Sequence, residues 1–169
     1  MFLRDEGCEV SGFDDNPNPE VKRMLLKKGV KFCESKEPDF DTDEFIITSA
    51  LKYVEQNLKG APCKKFLRRG VALSEIAKER RLVGVCGSHG KTTTTSLISH
   101  AISAVSLDAG YITGAIPNGI PPQKFCEKNK ILAAELDESD GTIENFSPEI
   151  TVALNGDLDH TDTYSDLKS

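Results

Sequence analysis

The sequence lacks the features that mark several large classes of protein. No apolar run approaches the roughly 20 residues that a membrane-spanning helix needs, so we expect no membrane insertion. The first six residues have no basic flank followed by an apolar core, so no signal peptide is visible. With a formal net charge of −6 and no basic tract, the chain is not expected to bind nucleic acid. These absences favour a protein of the cytoplasm.

Cysteine is present, but it is not arranged as a metal or redox site. The five cysteines are scattered and odd in number, and no two have the C-x-x-C spacing. We interpret them as reduced thiols that pack as small hydrophobic side chains. They are Cys8, Cys33, Cys63, Cys86 and Cys126.

The chain does contain short β-rich runs that alternate with helical ones, and this alternation predicts an α/β fold with parallel strands. A second unit begins near Arg80. The predicted strands are 9–14, 30–33, 45–48, 82–86, 131–136 and 150–154. The predicted helices are 19–28, a segment from Leu51, 71–78 and 91–105. The helix 91–105 has Leu97, Ile98, Ala101, Ile102 and Val105 on one face, and the runs 45–48, 131–136 and 150–154 are predicted to be buried.

The strongest motif is Gly87-Ser-His-Gly-Lys-Thr92, between a predicted strand and a predicted helix. Glycines let successive backbone N–H groups turn toward one anion, and the start of a helix adds partial positive charge. Lys91 would reach the outer phosphates of a nucleotide, and the Thr92 hydroxyl would bind magnesium. Val85 stands where the common phosphate loop has its first glycine, so this is a variant loop. An ordinary strand-to-helix turn is the alternative, which the run of four threonines after Lys91 weakens.

Acidic residues follow the next predicted strand, with four carboxylates in six residues. Such a cluster repels itself unless a cation is near, and magnesium prefers hard oxygen ligands of which the protein supplies few. We assign metal binding to Glu135 alone, because it closes the apolar run. The remaining carboxylates could hold the loop or orient ligands, and a solvated acidic loop is the alternative. They are Asp137, Glu138 and Asp140.

A histidine follows the last predicted strand. His160 lies between Asp159 and Asp162, whose carboxylates could orient its ring and raise its basicity. A metal or phosphate role is therefore favoured over a purely structural one. His89 lies within the glycine-containing loop and could contact phosphate or substrate.

These motifs, in this order, resemble those of the Mur ligases of peptidoglycan synthesis. The three segments are 87–95, 135–140 and 155–164. Residues 10–14 and 48–50 also look like pieces of the family's N-terminal UDP-binding domain, so the resemblance covers nearly the whole chain. The form Glu135-Leu-Asp-Glu-Ser-Asp140 favours the members that add L-alanine to UDP-N-acetylmuramate over the relative that recycles the muramyl tripeptide, which tends to have Tyr in place of Ser.

The resemblance implies an enzyme that uses ATP and Mg²⁺ to form an acyl phosphate on the muramyl carboxylate, which the amino group of L-alanine then attacks. It implies that residues 1–79 are a partial Rossmann-like domain for the UDP-muramyl substrate, with its first strand missing. Residues 80–169 would be a truncated central ATP-binding domain of the phosphate-loop type. UDP-N-acetylmuramate and L-alanine would be the substrates.

The resemblance also implies roles for individual residues. Lys91 and His160 would be catalytic, and Thr92, Glu135 and His160 would hold magnesium. Asp14, Ser49 and His89 would contact the substrate. The ATP phosphates would be bound by Gly87, Ser88, His89, Gly90, Lys91, Thr92 and Thr93.

Compared with the family pattern, the chain begins after the first strand and its glycine-rich loop and ends within the central domain. We therefore expect an incomplete ligase that does not catalyse ligation alone. Ser88 stands where the family commonly has Thr, and Gly156-Asp157 replaces an Ile-Glu type pair. Two other readings stay open. One is a nucleotide-binding module or remnant without catalysis. The other is a phosphate-loop hydrolase or kinase, which Val85 and the later motifs disfavour.

Overall fold

The structure, a computed structural model, describes residues 1–33, 42–48, 65–128, 130–137 and 141–156. The helices are α1 (Phe2–Asp5), α2 (Pro19–Lys27), α3 (Arg69–Lys78) and α4 (Lys91–Ala104), with a 3₁₀ turn at Ile143–Asn145. The strands are β1 (Ser11–Gly12), β2 (Lys31–Phe32), β3 (Glu44–Ile47), β4 (Lys65–Arg68), β5 (Arg81–Cys86), β6 (Gly110–Ile112), β7 (Gln123–Lys124), β8 (Ile131–Glu135) and β9 (Ile150–Ala153). The helical segment predicted from Leu51 lies outside the described residues.

The described strands form three sheets, two of them small. β1 pairs with β2 and β3 pairs with β4, both in parallel. The third sheet has the order β7-β6-β8-β5-β9, and its strands are parallel except for the antiparallel pair of β6 and β7. The predicted α/β class with parallel strands is confirmed.

Helix α2 shows how local sequence sets an element in the first part of the chain. Pro19 occupies its first turn, and the Asn18 side chain accepts hydrogen bonds from the backbone N–H groups of Glu20 (2.9 Å) and Val21 (3.4 Å). Gly29, with φ of +75°, follows the helix end. The helix predicted over 19–28 is confirmed to within one residue.

The core lies on both faces of the five-stranded sheet, around β8. Leu132 and Ala134 pack into one apolar cluster with Leu82, whereas Ala133 packs into another with Tyr111. Successive residues of a strand point to opposite faces, so a run buried on both sides is apolar throughout. The continuous apolar run of β8 therefore marks a central strand that is covered on both faces.

The apolar side predicted for α4 is buried only in part. Leu97 is 66% exposed and Val105 is 71% exposed, whereas Thr95 and Ser99 are completely buried together with the nearly buried Ile102. The Ser99 hydroxyl donates to the Thr95 carbonyl oxygen at 2.7 Å, which satisfies it within the helix. Small side chains at these positions let the helix lie close to the sheet.

Strand β9 forms where it was predicted but is not buried, and β3, also predicted to be buried, has Ile46 39% exposed. Strand β9 pairs with β5 and lies at the end of the strand order, and its first residue, Ile150, is 55% exposed. An edge strand has one sheet neighbour, so its apolar side chains are covered less completely than those of β8. In the part of the chain that the structure describes, no helix is long and apolar enough to cross a membrane.

Candidate nucleotide-binding site

The predicted phosphate loop lies at the carboxyl edge of the five-stranded sheet. β5 ends at Cys86, the loop occupies residues 87–90, and α4 begins at Lys91. β8 and β9 flank β5 in parallel, with Glu135 paired to Val85 and Ala153 paired to Cys86. The polar segments after these three strands therefore start at one edge, where open parallel sheets bind their ligands.

Two glycines give the loop its shape. Gly87 has a φ of +132° and Gly90 a φ of +86°, values that residues with a side chain rarely adopt. A Cβ atom at Gly87 would lie 2.9 Å from the backbone oxygen of Asn155, which is closer than such atoms approach. The loop therefore needs glycine at position 87 for both its backbone angle and its close contact.

Lys91 and the first turn of α4 supply positive charge beside the loop. The Lys91 ammonium group donates a hydrogen bond to the Gly87 carbonyl oxygen at 2.7 Å, so the side chain folds back across the loop. The first-turn N–H groups of a helix have no acceptor within the helix and carry its positive dipole end. Thr92 and Thr93 lie in this turn. The arrangement can bind an anion such as phosphate.

Asn155, two residues after β9, holds the loop from the other side. Its side-chain oxygen accepts a hydrogen bond from the His89 N–H at 2.9 Å, and its side-chain nitrogen donates to the His89 carbonyl oxygen at 3.1 Å. Its backbone oxygen accepts from the Ser88 N–H at 3.2 Å. Asn155 lies within the third motif, but no local pattern in the sequence predicts this contact.

Glu135, the last residue of β8, has an unpartnered carboxylate oxygen at the same edge. Its Oε2 atom is buried and has no hydrogen-bond partner among the described residues. The carboxylate lies against Gly114, where the Cβ of any other residue would overlap it. A carboxylate oxygen that is shielded from water and lacks a donor suits magnesium, a hard cation.

A small cleft adjoins Glu135, and it contains residues that the sequence analysis did not single out. Arg69, Thr113 and Gly114 line it together with Glu135 and Asp137. The Arg69 guanidinium donates to Asp137 at 3.2 Å, so Asp137 ties the segment after β8 to α3. This is the loop-holding role considered for it. Arg69 lies two residues before the helix predicted at 71–78, so no local pattern singled it out.

Asp14 lies at a second cleft in the first part of the chain. The cleft is lined by Asp14 with Phe13, Lys22 and Phe32, among others. The Lys22 ammonium lies 4.9 Å from the centre of the Phe32 ring. Aromatic rings, a carboxylate and a cation could contact the base, the sugar and the phosphates of a nucleotide-linked substrate.

Several predicted site residues cannot be placed. Ser49, His160, Glu138 and Asp140 lie outside the described residues. Within residues 1–33, 42–48, 65–128, 130–137 and 141–156, no group of three His, Cys, Asp or Glu side chains is arranged to hold a metal. Of the three residues predicted to hold magnesium, Thr92 and Glu135 lie within the described part of the chain.

Comparison with other proteins shows similarity along nearly the whole chain, although no family model matches. A UDP-N-acetylmuramate–L-alanine ligase of Prochlorococcus marinus is 32% identical over 100% of this chain and 38% of its own length. The ligases of that name from Myxococcus xanthus and Coxiella burnetii are also 32% identical, over 95% and 96% of this chain and 35% and 36% of theirs. The chain thus spans less than two fifths of these curated relatives.

Solved structures show the same fold. A ligase of Neisseria meningitides, named for UDP-N-acetylmuramate and L-alanyl-gamma-D-glutamyl-meso-diaminopimelate, superposes with a TM-score of 0.81 at 22% identity, over 99% of this chain and 59% of that one. The UDP-N-acetylmuramate–alanine ligase of Thermotoga maritima superposes with a TM-score of 0.79 at 23% identity, over 96% of this chain and 39% of that one. The predicted resemblance to Mur ligases is confirmed.

Proposed function

Because nearly the whole chain resembles part of the UDP-N-acetylmuramate–L-alanine ligases, we propose that it is the ATP- and substrate-binding part of such an enzyme. The reaction would join L-alanine to UDP-N-acetylmuramate through an acyl phosphate. The observation that carries the proposal is the loop between β5 and α4, with Lys91 folded over it and Glu135 at the same sheet edge. A strand-to-helix turn with a purely structural role would not require both a lysine folded over the loop and an unpartnered carboxylate oxygen at the same sheet edge.

The first part of the proposal concerns the phosphates. Residues 87–93 would form the site for the phosphates of ATP, which the N–H groups on the helix side of the loop and the helix dipole would bind. Lys91 would exchange its bond to the Gly87 carbonyl for a bond to an outer phosphate, where its charge stabilises the charge that develops during phosphoryl transfer. The strand, loop and helix that present these groups are all described.

The second part concerns magnesium and the remaining residues. The unpartnered Glu135 oxygen and the Thr92 hydroxyl would hold the ion together with His160, and the bound ion would offset phosphate charge. Asp14 would contact the UDP moiety of the substrate at the cleft of Phe13 and Lys22. Ser49 and His89 would contact the substrate.

The division of labour between residues 1–79 and 80–169 belongs to the same proposal. Helix α3 ends at Lys78 and β5 begins at Arg81, so the proposed boundary falls in the short turn between them. The Asp14 cleft then belongs to the first part, and the phosphate loop to the second.

The proposal is tested by calorimetric titration of Mg·ATP into the wild-type chain and into Lys91→Ala. We expect wild type to bind and the variant to bind at least about tenfold more weakly, since a charge-assisted hydrogen bond contributes about 1.5–3 kcal/mol. The matched control is Lys130→Ala, an exposed lysine 3.8 Å from Glu79 that lies away from the loop. Absence of Mg·ATP binding by wild type, or equal affinity of wild type and Lys91→Ala, would contradict the proposal.

A further inference from the structure

Asn155 contacts the phosphate loop through both its side chain and its backbone. The two side-chain hydrogen bonds close a ring with the peptide groups of a single residue, His89. The backbone bond adds Ser88, and the backbone of Asn155 also presses against Gly87. Three consecutive loop residues, 87–89, thus all contact Asn155, which lies 66 positions beyond His89 in the sequence.

These contacts decide which backbone groups of the loop can point at an anion. The N–H groups of Ser88 and His89 point at Asn155 and satisfy its oxygens. An N–H group that donates to one acceptor is largely committed to it, so neither is aimed at a bound phosphate. The donors for the phosphate are therefore those on the helix side of the loop, from Gly90 to Thr93.

The same contacts fix the resting place of the Lys91 side chain. Its acceptor, the carbonyl of Gly87, belongs to the residue whose Cα packs against Asn155. Movement of Asn155 would thus shift both the loop backbone and the point to which Lys91 is bonded. The position of the lysine side chain and the direction of the helix-side N–H groups therefore both depend on Asn155.

We propose that Asn155 is the positioning residue of the phosphate loop: it holds Ser88 and His89 so that the N–H groups from Gly90 to Thr93, with Lys91, face the outer phosphates of a nucleoside triphosphate. This role rests on the proposed nucleotide-binding function. Asn155 itself does not touch the phosphate. An asparagine suits the position because its side chain carries both a donor and an acceptor.

The experiment compares Asn155→Ala, which removes both side-chain bonds, with Asn155→Asp, which keeps an acceptor for the His89 N–H but loses the donor. The matched control is Asn145→Ala, since the exposed Asn145 side chain also donates one 3.1 Å hydrogen bond to a backbone carbonyl. Two readouts are taken on the full chain. One is amide hydrogen exchange at His89 without nucleotide, and the other is Mg·ATP affinity by calorimetry.

We expect His89 to exchange faster in Asn155→Ala but to stay protected in Asn155→Asp and in Asn145→Ala. Mg·ATP affinity should fall about 5- to 30-fold in Asn155→Ala, the effect of two exposed hydrogen bonds at about 0.5–1 kcal/mol each. It should also fall in Asn155→Asp, whose carboxylate adds negative charge beside the phosphates. Affinity in Asn145→Ala should equal that of wild type.

Two results would overturn the role of Asn155. One is wild-type Mg·ATP affinity in Asn155→Ala, and the other is unchanged His89 exchange in that variant. A wild-type chain that binds no Mg·ATP contradicts the proposed function instead. In that case the exchange data still decide whether Asn155 braces the loop, because they are measured without nucleotide.

Discussion

Gly87 is the loop residue on which a side chain would have the largest structural effect. Its φ of +132° is nearly closed to other residues, and a Cβ atom would meet the Asn155 backbone. We expect Gly87→Ala to lower the free energy of unfolding by about 1–3 kcal/mol, the usual cost of holding a non-glycine residue in such a conformation. Urea unfolding of the purified variant measures this change.

Gly12→Ala is the matched control for this prediction. A Cβ atom at Gly12 would have nothing within 4 Å, and its φ is not in the left-handed region. Its substitution should change stability by less than about 0.5 kcal/mol. If both variants lost the same free energy of unfolding, a side chain at position 87 would cause no specific strain, and the prediction would be wrong.

The residue scale also separates what local sequence can reveal from what it cannot. Gly87, Gly90 and Lys91 were predictable because the loop, the cation and the helix start are contiguous, and each has a local physical signature. The brace by Asn155 was not, because it joins positions that approach only when β9 pairs with β5. The contact of Gly114 with the Glu135 carboxylate likewise depends on the pairing of β6 with β8.

Helix α4 allows a test of which side of an element carries the packing. Ile102 is 7% exposed and packs in the cluster with Tyr111 and Ala133, whereas Leu97 is 66% exposed. Ile102→Ala should lower the free energy of unfolding by about 2–4 kcal/mol through lost burial and the cavity left behind. Leu97→Ala, the matched control, should change it by less than about 0.5 kcal/mol. Equal losses of stability in urea unfolding would contradict the assignment of packing to Ile102 and not to Leu97.

The pairing of β5 with the start of β9 gives a dependence on pH. Arg81 and Glu149 form two side-chain hydrogen bonds, at 2.8 and 2.6 Å, which lower the pKa of the Glu149 carboxyl below its ordinary value of 4.5. A group whose pKa is lowered in the folded state stabilises the fold above its unfolded pKa. That contribution disappears as the pH falls through the lower, folded pKa.

We therefore expect Glu149→Gln to be less stable than wild type at pH 7, with a difference that shrinks as the pH falls below 4.5. Urea midpoints at several pH values give the comparison. Both side chains are exposed, so the difference at pH 7 should be small and should shrink in high salt. Glu144→Gln, an exposed change in the 3₁₀ turn, is the control. A difference between wild type and Glu149→Gln that stays constant as the pH falls below 4.5 would exclude the ion pair as its source.

Elements with strong local patterns were predictable, and short ones were not. β8 and α2 follow from an unbroken apolar run and from a proline start with a glycine stop. Strands β6 and β7 have three and two residues, and the segment between them contains three prolines and two glycines. Such a segment carries no period, so tertiary pairing alone makes it a sheet.

At the scale of the whole molecule, stability should be unevenly distributed. β5 and β8 lie inside a five-stranded sheet, and Leu82, Val85 and Leu132 are 0–2% exposed. The pair β1–β2 joins two residues of each strand. Because two-stranded pairs are marginal by themselves, local opening should cost less free energy there.

Hydrogen exchange over the described residues measures this distribution. We expect the slowest amides in β5 and β8, and exchange in β1 and β2 at least about tenfold faster, since about 1.4 kcal/mol in opening free energy corresponds to a factor of ten. Helix α2, which is amphipathic but has no buried residue, should exchange at an intermediate rate. Uniform protection of all four strands would show instead that the chain opens as one cooperative unit.

The two small sheets also affect how copies of the chain meet one another. In a pair of strands each member is an edge, so within the described residues β1, β2, β3 and β4 each present one side whose backbone groups are not joined to a further strand. Large apolar side chains lie beside them, with Phe13 and Ile46 each 39% exposed. Open edges next to apolar surface are where strands of separate molecules add to one another. In a concentrated solution these edges, together with the edge strand β9 and its exposed Ile150, are where oligomers and aggregates would start to grow.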